Sequence, residues 1–173
     1  MSKKRPSTGS RPLVALSLLL LLPAVAPTVL AAQGSNAGTG WRVGITFGGI
    51  STVGVTFEAF RDSRSIDVTL GTFSFRDVGV SVVGKQYVGG RAARPFVGIG
   101  LWGVLAASDE GTGLALVARM PIGVDWTVHG RHSAGASVAL NRALAVRRPD
   151  PTDERPLNER LVPLPGIYYR WTH

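Results

Sequence analysis

Cysteine is absent from the 173 residues. That excludes disulfides, zinc sites built on thiolates and a lipidated anchor cysteine. An exported domain on this chain must hold itself together by strand pairing and packing alone. Charge is sparse as well, at 17% of the residues. The formal net charge of +8 overstates the basic character, because Lys3, Lys4, Arg5 and Arg11 lie in a first segment that holds no acid. The rest carries 15 basic against 11 acidic residues, or +4. That excess is spread along the chain with no basic stripe, so no nucleic-acid partner is expected. No His/Asp/Glu cluster has metal-ligand spacing. The glycine-rich stretches Gly84 to Gly90 and Gly98 through Gly103 lack the following helix and the Lys-Ser/Thr pair of a phosphate loop. Neither a metal nor a cofactor is expected, and close backbone approach in a small interior explains these glycines better. Beyond the first segment there is also no amphipathic helical period.

What is present begins with a three-part leader. Met1 to Arg11 is polar and basic, and Leu13 to Leu22 is leucine-rich. Pro23 and Pro27 then break the helix ahead of Val29-Leu30-Ala31-Ala32, the small residues a signal peptidase requires. The apolar stretch is too short to cross a hydrocarbon layer of about 30 Å as a helix. Residues 1–32 therefore read as a cleavable helical signal peptide, cut near Ala31 or Ala32, in preference to a permanent anchor. About 141 residues of the 173 remain, enough for one domain.

Residues 33–40 are a Gly/Ser/Asn-rich flexible lead-in. From Trp41 to the end, apolar residues alternate with polar residues or glycine, the signature of half-buried strands. Eight such segments are recognisable. They run through Trp41–Phe47, Val53–Ala59, Ile66–Leu70, Val78–Val82, Val97–Leu101, Leu114–Val128, Ser133–Leu144 and Ile167–Trp171. Short turn signals separate most of them: Gly48-Gly49, Arg61-Asp62-Ser63-Arg64, Arg76-Asp77, Gly89-Gly90-Arg91, Ser108 to Gly111 and His129-Gly130-Arg131. One connection, residues 147–165, is a long charged loop with five prolines. Pro121 sits awkwardly inside the sixth segment because it cannot donate to a ladder, and it marks a bulge or a split there. An even count of short-linked strands predicts an all-β fold over residues 41–173: an eight-stranded antiparallel up-and-down barrel.

The two strand faces decide what surrounds such a barrel. A soluble barrel would show a solvated face rich in Lys, Glu and Asp. Here the polar face is mostly Gly, Thr and Ser, with scattered charges of both signs: Arg42, Glu58, Asp67, Lys85, Arg119, Asp125 and Arg170. A narrow eight-stranded interior has room for side chains but not for an open pore, and charges inside it must pair. These seven residues are the candidate interior charge network. On the apolar face, Trp41, Trp126 and Trp171 fall at one rim if odd strands run outward from the periplasmic side. They are the candidate interfacial aromatic girdle. Phe96 and Trp102 fall on the opposite face.

The leader, the eight alternating segments, the short turns and the terminal run Ile167-Tyr168-Tyr169-Arg170-Trp171 resemble the small bacterial outer-membrane barrels of the OmpA transmembrane-domain, OmpX and OmpW type. The resemblance is one of architecture. It implies an aromatic-ended last strand that engages the outer-membrane assembly machinery, although this chain ends Thr172-His173 instead of on the aromatic.

Some small barrels act on lipid A, which makes His129, His132 and Ser133 a candidate hydrolase set. The lipid A deacylase pattern of a histidine, a serine two positions later and an asparagine is not met by Arg131-His132-Ser133-Ala134-Gly135. Adjacent residues on a strand face opposite sides, so no catalytic residue is assigned. The expectation is a non-catalytic integral outer-membrane barrel, monomeric, in contact with membrane lipid and lipopolysaccharide, with a structural or surface-interaction role in the envelope. The alternatives are a soluble periplasmic or secreted lipocalin-like barrel with an apolar interior, and a lipid A-modifying enzyme.

Overall fold

The computed structural model describes residues 38–89, 92–108, 111–150, 152, 157 and 160–173. The leader, most of the lead-in and much of the long loop lie outside the described residues. Eight strands follow one another: β1 (Thr39–Gly48), β2 (Ser51–Arg61), β3 (Arg64–Thr72), β4 (Asp77–Tyr87), β5 (Ala93–Ser108), β6 (Gly111–His129), β7 (His132–Arg147) and β8 (Val162–Thr172). Each pairs antiparallel with its neighbour in sequence, and β1 pairs with β8 to close the barrel. The up-and-down eight-stranded barrel read from the alternation is the observed fold.

Because the side-chain period along a strand is two, closure sends one set of residues outward and the other inward. Trp41, Val55, Phe57, Leu70, Val80, Val82, Leu101 and Ile122 are exposed on the outer wall. Arg42, Thr56, Glu58, Asp67, Ser81, Lys85 and Asp125 are buried within. A lipocalin-like apolar interior needs the opposite orientation of the two faces, which this barrel does not have.

Three strands run beyond the alternating segments read from the sequence. β5, β6 and β7 run for 16, 19 and 16 residues. Most of their extra length lies at the rim away from the chain ends, where Leu105 pairs with Leu114 and Ala107 with Thr112. Alanine and glycine there carry little alternation, so the pattern fades while the ladder continues. β8 starts at Val162, inside the segment expected to be loop, with Pro163 and Pro165 opposite Leu140 and Val138. The physical reason lies on its other side. Pairing to β1 begins only at Gly166, opposite Gly48. Both prolines therefore sit where β8 has one partner strand, the place where a missing N–H is tolerated. Pro121 neither splits nor bulges β6. It pairs in register with Ala139 of β7, while pairing to β5 stops at Val97–Ile122 and resumes at Gly100–Arg119. The missing donor interrupts one ladder and leaves the strand continuous.

Tight turns are fixed locally. Gly48 and Gly49 both adopt positive φ in the β1–β2 turn, a backbone state glycine reaches without strain. The next residue, Ile50, is 4% exposed and caps the barrel at that rim. In the β3–β4 turn the Asp77 carboxylate accepts from the Phe73 and Ser74 backbone N–H groups at 2.7 and 3.2 Å.

Three inward glycines stand directly opposite three inward aromatics: Gly40 with Phe60, Gly123 with Phe96 and Gly135 with Tyr168. In each pair the ring occupies the space where a glycine Cβ would stand. A narrow barrel accommodates large rings by removing the side chain across from them. Gly135→Ala is accordingly expected to destabilise the barrel by about 1–3 kcal/mol through overpacking against Tyr168, read as a lowered urea midpoint. In a Tyr168→Leu background, which vacates that space, adding Gly135→Ala should cost little further. An unchanged midpoint in the single variant would refute the steric account.

Candidate functional site

The barrel interior is where the unusual chemistry lies. Glu58 and Asp67 are directly opposite each other on β2 and β3, a like-charge pair that destabilises a sheet unless cations intervene. Arg42 stands opposite Glu58 on the other side. Its Nε donates to Glu58 Oε2 at 2.6 Å, and its Nη1 lies 2.6 Å from Asp125 Oδ2. Lys85 Nζ bonds Asp67 Oδ2 at 2.7 Å and lies 3.9 Å from Glu58 Oε1. Arg170 spans both carboxylates, with Nη1 2.8 Å from Glu58 Oε2 and Nη2 2.7 Å from Asp67 Oδ2. Six of the seven candidate network residues thus form one connected cluster. Arg119 stands outside it; its Nη1 donates to Ser81 Oγ at 3.0 Å and reaches no carboxylate.

Neutral groups complete the cluster. The Tyr87 hydroxyl accepts from Arg42 Nη2 and donates to Glu58 Oε1, both at 2.6 Å. Ser65 also donates to Glu58. Thr56 and Thr69 donate to the two Asp67 oxygens at 3.0 Å. Aromatic faces cover the cations. Arg170 lies 3.8 Å from the Tyr168 ring centroid, Lys85 5.1 Å from that of Phe96, and Arg94 4.5 Å from that of Tyr87. Such contacts add up to about 2 kcal/mol each where water is excluded. Cavities of about 50 and 110 Å³ lie among the described interior residues.

The sequence reading missed Tyr87, Tyr168, Arg94 and the hydroxyl residues as partners. Tyr87 was findable, since the inward phase of β4 through Ser81, Val83 and Lys85 continues to it. Arg94 was hidden because β5 starts four residues before its clear alternation.

Outside, Trp41, Trp126 and Trp171 are exposed by 49, 44 and 46%. Register places all three at the rim that carries both strand termini: Trp41 opposite Ala59, Trp126 opposite Ala134 and Trp171 opposite His132. Trp41 stacks on His173 at 4.4 Å between ring centroids, and Trp171 lies 5.2 Å from the same ring. Phe96 and Trp102 point inward, on the face opposite these tryptophans. The His132 and Ser133 side chains are separated. Ser133 is buried inside, its Oγ 3.4 Å from Arg42 Nη1. His132 Nδ1 sits 2.6 Å from the Tyr169 hydroxyl, and the two rings stack. What the described interior offers is a locked set of charges, with no base aligned on Ser133.

The architecture is that of the eight-stranded antiparallel barrels typified by the OmpA transmembrane domain. The chain is similar in fold to the N-terminal β-barrel domain of OprF from Pseudomonas aeruginosa, known from a crystal structure, at 15% identity and a TM-score of 0.61. The match covers 79% of this chain and 99% of that domain. No protein-family model matches the chain, and no curated protein does.

Proposed function

We propose that this protein is a non-catalytic integral outer-membrane barrel, exported by its leader and inserted as a monomer by the outer-membrane assembly machinery. On this reading it serves a structural or surface-interaction role in the bacterial envelope, with membrane lipid and lipopolysaccharide as its surroundings. The observation that carries the reading is the distribution of polarity. The continuous outer wall is apolar, whereas six charged residues are gathered inside as one paired cluster. Large exposed apolar areas on a soluble monomer are confined to small patches; here they encircle the molecule. The fold likeness to the OprF barrel domain supports the same reading, and Trp41, Trp126 and Trp171 form the interfacial girdle at the periplasmic rim.

The test is extraction and gel mobility. The protein is expected to remain in the membrane fraction after osmotic shock and to require detergent for release. Folded in detergent, it is expected to migrate differently on a gel before and after boiling, because a closed barrel resists unfolding by the gel detergent when cold. A protein released by osmotic shock that stays in solution without detergent would end the membrane proposal.

A further inference from the structure

The interior holds more positive than negative charge. Its carboxylates are Glu58, Asp67 and Asp125, and all three are engaged by Arg42, Lys85 and Arg170. Among the described residues, two inward cations remain without a carboxylate contact, Arg94 and Arg119. Arg94 is half-buried near the terminal rim, where its Nη2 donates to the Asp62 carbonyl at 3.2 Å and its ring contact is Tyr87. Arg119 is more deeply buried, at 9% exposed. Among the described residues its hydrogen bond goes to the neutral Ser81 hydroxyl, and its Nε, like that of Arg94, is buried with no partner.

An arginine does not escape such a position by losing its proton, since the guanidinium stays charged at any ordinary pH. An isolated buried charge costs several kcal/mol even after relaxation. The structure offers space for relief, because Arg119 lines the cavity of about 50 Å³ together with Thr46, Ser137, Lys85 and Arg170. That exceeds the roughly 10–15 Å³ needed to admit one water-sized particle. Asp67 also lines the cavity, but its oxygens already take bonds from Lys85, Arg170, Thr56 and Thr69. Among the charged residues that line the cavity, the cations Lys85, Arg119 and Arg170 outnumber the one carboxylate.

We propose that this cavity is a binding site for a small monovalent anion of halide size, held by the Arg119 guanidinium and balancing part of the interior charge. A halide fits the volume and needs no fixed donor geometry. The site belongs to the interior, so it stands or falls separately from the membrane reading.

Bromide is the probe. The protein is folded in zwitterionic detergent, dialysed free of chloride, crystallised and soaked in sodium bromide, and anomalous scattering is recorded at the bromine edge. The expected result is a bromide peak within hydrogen-bonding distance of Arg119, kept in Arg119→Lys and lost in Arg119→Met. Ordered water without anomalous signal at Arg119 overturns the proposal. So does a peak that persists unchanged in Arg119→Met. Solution unfolding of the wild type decides the matter if Arg119→Met does not fold. The urea midpoint should rise saturably with bromide relative to sodium isethionate at equal ionic strength, the bulky organic anion being excluded from the cavity. Equal midpoints in the two salts overturn the proposal as well.

Discussion

Replacing Glu58 with glutamine is expected to cost the barrel about 3 kcal/mol of unfolding free energy, at the lower end of the roughly 3–5 kcal/mol seen when one partner of a buried ion pair is removed. Glu58 is 1% exposed and receives Arg42, Arg170, Ser65 and Tyr87 together. Glutamine keeps the size and one acceptor oxygen, so packing changes little and the difference reports charge. The loss stays at the low end because neither arginine is left bare. Arg42 keeps Asp125 at 2.6 Å, and Arg170 keeps Asp67 at 2.7 Å. Even so, two carboxylates would then face the same interior cations, and the positive excess would grow. Urea unfolding of the detergent-folded protein measures the effect. A loss below about 1 kcal/mol, the net worth of one ordinary hydrogen bond, would mean that the cluster is incidental to stability. Ser65→Ala is the companion measurement. It removes a neutral donor to the same carboxylate and should cost about 1 kcal/mol.

The second large effect concerns the outer wall. Val82 lies mid-strand on β4, outward and 47% exposed, between Val68 of β3 and Leu101 of β5. If this belt lies in lipid, Val82→Arg places a guanidinium at mid-depth and should cost about 2–4 kcal/mol. On a water-facing wall the same change touches nothing buried and should fall within about ±0.5 kcal/mol. Measuring the variant folded into vesicles separates the two cases. Moving the arginine along the barrel sharpens it. Ala59→Arg, beside Trp41 and next to the rim arginines Arg61 and Arg64, should cost about 0–1 kcal/mol, because depth governs the penalty. Equal small costs at both positions would contradict a lipid-facing wall.

These two experiments probe opposite faces of one wall, and the faces differed in how far the sequence disclosed them. The outward set was legible residue by residue. Val53, Val55 and Phe57, or Val78, Val80 and Val82, announce a strand face with no knowledge of neighbours. The inward charges were legible as a set, since Arg42, Glu58, Asp67, Lys85, Asp125 and Arg170 all fall on the polar phase. Their pairing was not. Arg170 and Asp67 are 103 residues apart and meet only because β8 closes on β1. Arg119 shares the same polar phase, and the cross-strand register runs from Asp67 through Val83 and Gly100 to it, yet its hydrogen bond goes to Ser81 and not to a carboxylate. No pattern along the chain distinguishes it.

The alternation of one face against the other, repeated eight times with short turns, was enough by itself to determine an all-β chain with a polar and an apolar surface on every strand. It does so because the two-residue period of a strand is a local property of the backbone. Strand ends, the place of Pro163 and Pro165 in β8, and the partners of each buried charge were decided only by the tertiary structure. Register and closure fix those, and both depend on which strands lie side by side. The three glycines opposite Phe60, Phe96 and Tyr168 show the division at its smallest scale. The sequence presents a glycine and an aromatic far apart, and only the closed barrel makes one the space for the other.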